Sequence, residues 1–308
     1  MDIEPGLDGY LSHTRAIEET VRKPLFFIVG VAKSGTTWLQ KLLDGHPDIS
    51  CNGESHVGDS LIPEMMDLLA RHNKLICSKN KMLQHQDGGY PVFSNDMALY
   101  VAKTAMYTLL HAQQDGTDSS IIGEKTPDHL RHMEDITEHL VPGARFIHIV
   151  RDGRDAAVSG WHHIYREKPE WAQENFPALD GYVELFAQTW VSEINIARRY
   201  GRRFPENYLE IKYEELQESL KDTLLTVLRY LDADDRVECI NLCIEKGSFK
   251  KLAGGRVKGE EDASSHFRKG ITGDWRNVFD DRCEKIFYQH AKELLIELGY
   301  ECNPGRPG

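Results

Sequence analysis

The sequence predicts an α/β fold, a single domain whose mostly parallel central sheet is flanked by helices. Two continuous apolar runs, LFFIVGV at 25–31 and ARFIHIV at 144–150, suit strands buried on both faces. Longer helical patterns alternate with these and with shorter strand-like runs, which implies βαβ units and parallel pairing. Each apolar run also opens into a turn of small or charged residues, the place where open α/β sheets bind ligands.

Residues 1–23 read as an N-terminal extension. The 25–31 strand passes through a Gly/Ser/Thr turn into WLQKLLDGHP, a short helix stopped by Gly45 and Pro47. Asp48 to Cys51 is a second short strand, and 60–72 and 95–114 are helical. IIGE at 121–124 is a strand. After it, Thr126 supplies an N-cap and Pro127 the first residue of a helix reaching about Leu140. The 144–150 strand ends at Arg151-Asp152-Gly153, and helices follow at about 154–168 and 181–203. YLEIKY at 208–213 is strand-like, with helices at 215–232, 235–246 and 281–298. Residues 253–266, AGGRVKGEEDASSH, form a long glycine-rich charged loop of the kind that serves as a lid. The domain is placed at 24–300, with 301–308 as a frayed tail.

A chain of 308 residues can bury a sizeable core. Its net charge of −12 and pI near 5.6 argue against a general binder of nucleic acid or of anionic membranes. Any basic cluster therefore stands out. The six cysteines, Cys51, Cys77, Cys239, Cys243, Cys283 and Cys302, contain no CxxC pair. They read as thiols rather than a disulfide scaffold, and no metal is expected, although Cys239 and Cys243 fit one helix face. MDIEPGLDGYLSH lacks the basic and apolar regions of a signal peptide. No apolar run approaches the ~20 residues that a bilayer requires. The expectation is a soluble protein of a reducing, cytoplasmic compartment.

The first strand–turn–helix is Gly30-Val31-Ala32-Lys33-Ser34-Gly35-Thr36-Thr37-Trp38. Unpaired N–H groups and the dipole at such a helix start attract phosphate, and Lys33 adds full charge. This is a P-loop-like arrangement, yet a nucleotide triphosphatase would carry GxxxxGK[ST]. Gly30 and Gly35 fit the two glycines, but Thr36 stands where the lysine belongs and the cation has moved to Lys33. Arg151 takes the place where a carboxylate would help hold magnesium. The loop therefore reads as holding phosphate with amides and protein cations, without a metal.

Arg151 ends the 144–150 strand, and Ser159 lies two turns into the next helix. Together they can hold a second phosphate. Taken alone, Arg151 fits a structural ion pair with Asp152 or Asp155 equally well. Arg268-Lys269-Gly270, followed by Gly273-Asp274-Trp275, is a third basic element after the flexible loop, and by itself it also suits a solvated turn.

In combination these segments resemble the cytosolic sulfotransferase family, which uses 3′-phosphoadenosine 5′-phosphosulfate (PAPS). KSGTTW (33–38) resembles its 5′-phosphosulfate loop and VRDGRDAAVS (150–159) its 3′-phosphate strand–helix. IKYEEL (211–216) resembles its adenine-side segment, and FRKGITGDW (267–275) is similar to its RKGxxGDW signature. The resemblance implies that Lys33, Ser34, Gly35, Thr36 and Thr37 hold the 5′-phosphosulfate and that Trp38 stacks near the adenine. Arg151, Ser159, Arg268, Lys269 and Gly270 would grip the 3′-phosphate, with Tyr213 near the base. Ser248 and Phe249 resemble the purine-side segment, although Gly247 departs from the family's threonine, and a plain helix terminus fits them equally.

The implied reaction moves the sulfuryl group in line to an acceptor hydroxyl, with Lys33 at the leaving oxygen and a general base at the acceptor proton. The family's histidine is absent: in Gly123-Glu124-Lys125-Thr126-Pro127-Asp128-His129, Pro127 replaces it. GEKTP instead resembles bacterial and carbohydrate-type sulfotransferases. HPDISCNGESH (46–56) resembles the tyrosylprotein enzymes, whose catalytic glutamate falls at Glu54. Glu54 is the leading base, with His56, Glu124 and His129 as alternatives, and a helix-capping role for Glu54 competes. Lys125 would assist at the sulfuryl group, or form a salt bridge to Glu124 or Asp128. The aromatics Tyr90, Phe93, Trp161, Tyr165, Trp171 and Phe176 either line the acceptor pocket or belong to the core. The acceptor is read as a hydroxyl-bearing small molecule, with carbohydrate and peptide kept open, and PAP (3′,5′-adenosine bisphosphate) as the product. No nucleic acid, membrane or metal is expected, and a homodimer is left open. The alternatives are a P-loop nucleotide kinase and a catalytically inactive adenosine-bisphosphate-binding module.

Overall fold

In the computed structural model, which describes residues 7–83, 89–114, 116, 118–262, 265 and 268–302, the apolar runs pair as one five-stranded sheet. The strands are β1 (Leu25–Val29), β2 (Ile49–Cys51), β3 (Ile121–Lys125), β4 (Arg145–Val150) and β5 (Tyr208–Lys212). Their order is β2-β3-β1-β4-β5, and every pairing is parallel. All five residues of β1 are buried because the sheet is covered on both faces. Phe26 and Ile28 pack one way, with Leu39, Leu42 and Leu43 of the helix Thr36–Leu43. Leu25, Phe27 and Val29 pack the other way, with Ala102, Met106 and Leu110 of the helix Asn95–Gln113. Burying each such side chain contributes about 1.5–3 kcal/mol, which explains a run with no polar alternation. The mostly parallel sheet predicted from the sequence is therefore fully parallel among the described residues.

Some expected elements take another form. The extension contains a helix, Leu7–Val21, docked on Asn95–Gln113 with Thr20 Oγ1 3.3 Å from His111 Nδ1. No continuous helix follows Pro127. Instead there is a tight turn Pro127–His132, a short piece Met133–Asp135 and a wide turn Ile136–Leu140. Thr126 makes no side-chain cap: its hydroxyl donates to Glu124 Oε1 at 2.7 Å. The predicted 215–232 helix divides at Ser219 into Tyr213–Glu218 and Leu220–Tyr230. A further helix, Pro169–Asn175, follows Gly153–Glu167. Residues 1–6, parts of the 253–266 loop and the 303–308 end of the predicted tail lie outside the described residues. Among the described residues no helix is long and apolar enough to cross a membrane.

Candidate active site

The carboxyl ends of β1, β3 and β4 face a cavity of about 720 Å³. The β1 loop supplies one wall. Gly35 has φ 102°, and a Cβ there would lie 2.5 Å from Tyr213 Cδ2, so the loop needs both the left-handed backbone and the empty space. Gly35→Ala is expected to destabilise the fold by about 1–3 kcal/mol, read by urea unfolding. Lys33 also has positive φ, 71°, and its carbonyl accepts from Arg151 Nη1 at 3.1 Å. Burial, then the charges of Arg166, Arg151 and Lys125, lower the Lys33 amine to about 8.

Arg151 forms no ion pair with its acidic neighbours. Asp152 is taken by Arg154, and Asp155 accepts from the backbone N–H groups of Gly273 and Trp275 at 2.6 and 2.9 Å. That second contact pins the RKGITGDW segment onto the helix Gly153–Glu167. Arg151 donates to the carbonyls of Lys33 and Ile271 and lies 4.4 Å over the Tyr213 ring. Its Nε is buried without an acceptor.

Trp38 lies edge-on to Tyr213 at 5.6 Å, and its indole N–H donates to the Gly247 carbonyl at 2.9 Å. Phe249 covers Gly270, where a Cβ would meet its ring at 2.5 Å. Lys33, Gly35, Thr36, Thr37, Trp38, Glu54, Lys125, Arg151, Ser159, Tyr213, Phe249, Arg268, Lys269 and Gly270 all line the cavity. Ser34 and Ser248 do not; Ser34 is buried with its hydroxyl unpartnered.

The four candidate bases are separated by the fold. Glu54 lines the cavity, is 43% exposed in its side chain, and pairs with the buried Lys125 ammonium. This replaces the expected Lys125 bridge to Glu124 or Asp128. Nor does Glu54 cap the helix near residue 60, because the N-cap of Val57–Leu61 is His56, without a side-chain bond. His56 lies behind Glu54, 4.0 Å away, with Nδ1 2.7 Å from Asp59, whose hydrogen bond raises the His56 pKa. Glu124 is fully buried and accepts from Ser55 N, Ser55 Oγ and Thr126 Oγ1. Burial pushes its carboxyl up, but His129 and these hydrogen bonds outweigh that and hold it below the usual range. His129 is equally buried: Gly58 N–H donates to its Nε2 at 3.0 Å, and Nδ1 faces Glu124 at 2.8 Å. Neither Glu124 nor His129 reaches the cavity. Both tie β3 to the loop after β2, the loop that carries Glu54.

None of the six aromatics proposed for an acceptor pocket lines this cavity. Trp161 and Tyr165 stack at 4.3 Å, Trp161 also reaches Tyr182, and Trp171 and Phe176 extend that cluster. Phe93 contacts His72. The cavity adds His163, Arg166, Gln217 and Lys258, which sequence reading passed over. Periodicity held the signal for three of them. Ser159, His163 and Arg166 are spaced i, i+4, i+7 on one helix face, and Gln217 follows Tyr213 by four. Among the described residues no group of three His, Cys, Asp or Glu is placed to hold a metal.

A model described as the Sulfotransferase family matches residues 24–236, more than half of the chain. The chain belongs to the sulfotransferase family. Among its curated relatives is the protein-tyrosine sulfotransferase of Drosophila melanogaster, 29% identical over 210 residues, covering 68% of this chain and 38% of that protein. Human sulfotransferase 2A1 is 26% identical over 171 residues, covering 50% of this chain and 59% of the relative. The chain thus spans well under two thirds of either relative. Mouse sulfotransferase SULT7A1, solved complexed with PAP, shares the fold at 17% identity and TM-score 0.55, with 93% of this chain and 90% of that one covered. The sulfotransferase STF9 of Mycobacterium avium does so at 16% identity and TM-score 0.52, covering 94% and 80%. The likeness to these two solved sulfotransferases is one of fold.

Proposed function

We propose that this sulfotransferase-family protein transfers the sulfuryl group of PAPS to an acceptor hydroxyl by in-line displacement. One observation carries the reading: three basic elements far apart in sequence, at Lys33, at Arg151 and at Arg268-Lys269, converge on a single cavity that also receives Glu54 and Lys125. Several cations gathered in one cavity suit a ligand that carries more than one phosphate. Trp38, Tyr213 and Phe249 between them suit a purine. The acceptor oxygen attacks sulfur, the bond from sulfur to the bridging oxygen breaks, and Lys33 neutralises the oxygen that leaves with PAP. Glu54 takes the acceptor proton, and Lys125 turns from Glu54 toward the sulfuryl oxygens.

The kinase alternative fares worse, with Thr36 in place of the P-loop lysine and Arg151 in place of the metal-holding carboxylate. The test is calorimetry with PAP, followed by labelled sulfate donor against a panel of phenols, sugars and tyrosine peptides. Absence of heat with PAP ends the reading. Binding without transfer to any acceptor points to the inactive module, and magnesium-dependent ATP binding to a kinase. Arg151→Ala is expected to weaken PAP binding by about 2–5 kcal/mol, because a desolvated phosphate loses its partner. Unchanged affinity removes Arg151 from the site.

A further inference from the structure

The two cations placed at the 3′-phosphate are already partnered. Arg268 and Lys269 each reach the same two carboxylates. Arg268 Nη2 bonds Asp274 Oδ2, and Lys269 Nζ lies 3.0 Å from Asp274 Oδ1. Glu261 grips the pair from the other side, with Oε1 2.6 Å from Arg268 Nη1 and Oε2 3.0 Å from Lys269 Nζ. Two cations and two anions cancel, so a subsite meant for a phosphate presents no net charge from this quartet.

The two carboxylates differ in how firmly they are held. The Asp274 side chain is 3% exposed, sits in the turn Asp274–Asn277 and also accepts from Asn277 Nδ2 at 3.4 Å. The Glu261 side chain is 40% exposed and hangs from the 253–262 loop. That loop is anchored by its backbone: Gly259 N–H donates to the Lys269 carbonyl at 2.9 Å and Asp262 N–H to the Arg268 carbonyl at 3.1 Å. The Glu261 carboxylate can therefore swing off the cations while its backbone keeps it close, at high effective concentration.

We propose that Glu261 is an internal counter-anion of the donor site. Its carboxylate spans Arg268 and Lys269 in the free protein and yields them to the donor's 3′-phosphate, so it sets donor affinity through that one group. The inference rests on the PAPS reading. A nucleotide without a 3′-phosphate gives Glu261 no competitor and leaves it in place.

The experiment compares PAP with adenosine 5′-monophosphate on the wild-type chain and on Glu261→Gln by calorimetry at low ionic strength. Glu261→Gln is expected to bind PAP about threefold to tenfold more tightly, with 5′-monophosphate affinity unchanged. A purely structural role would weaken both ligands. PAP affinity that is unchanged or weaker in Glu261→Gln overturns the inference while leaving the PAPS reading intact. Failure of the wild-type chain to bind PAP overturns both.

Discussion

Lys33→Met is expected to lower turnover by roughly 10²–10³-fold, the loss that follows when one group stabilising developing charge on the leaving oxygen is removed. PAP affinity falls much less, because Arg151, Arg268, Lys269 and the loop amides remain. The geometry explains the split. Lys33 sits on a strained backbone, φ 71°, whose carbonyl is fixed by Arg151, so the side chain rather than the loop is what the substitution removes. Its amine is lowered to about 8 by burial and by three neighbouring cations, so the free protein loses this charge as pH rises through that value. An anionic ligand favours the protonated amine. PAP binding at pH 8.5 should therefore take up a proton and weaken as pH rises further, and Lys33→Met should remove both effects. Single-turnover kinetics with PAPS, and calorimetry in buffers of different ionisation enthalpy, check the two arms. Near-normal turnover would contradict the leaving-group role.

Glu54→Gln is expected to slow transfer by roughly 10²–10⁴-fold, the range for a general base, with PAP affinity almost unchanged. Glutamine keeps the shape of the side chain and still accepts from Lys125, so the loop after β2 should hold its place. Of the four base candidates, Glu54 alone lines the cavity. Its partner Lys125 is buried while Glu54 is half exposed, so an arriving acceptor meets the carboxylate first. Steady-state rates with a responsive acceptor, alongside PAP calorimetry, provide the measurement. Full activity in Glu54→Gln would pass the base role to His56, the remaining candidate within reach of that wall.

The loop residues at the strand ends that line the cavity were legible because local chemistry dictates them. A buried strand running into a small-residue turn leaves N–H groups unpaired, and the spacing of Lys33, Gly35 and Trp38 follows from that turn. Arg151 was legible as a cation at a strand's carboxyl end. Burial of the four base candidates was less legible, although the resemblance to the tyrosylprotein enzymes had put Glu54 first. Glu54, His56, Glu124 and His129 are all polar residues near strand ends, and nothing in their spacing says which ones are buried. The fold sends Glu124 and His129 inward, where they face each other and accept from the Ser55 and Gly58 backbone, and leaves Glu54 at the cavity wall. The cap expected from Thr126 was likewise redirected by the fold, its hydroxyl going to the buried Glu124.

By itself, the amino-acid order determined a covered parallel sheet and a tight small-residue first loop, since apolar runs without alternation and glycines at turns act over a few residues. The tertiary structure decided what those residues meet. It placed the Arg268-Lys269 pair beside Lys33 and Arg151, drew the aromatics of 161–182 into their own cluster, and set Glu261 against the two cations. Such pairings join positions tens to hundreds of residues apart. Their energies come from burial and charge neutralisation across the fold, which no short window of sequence contains.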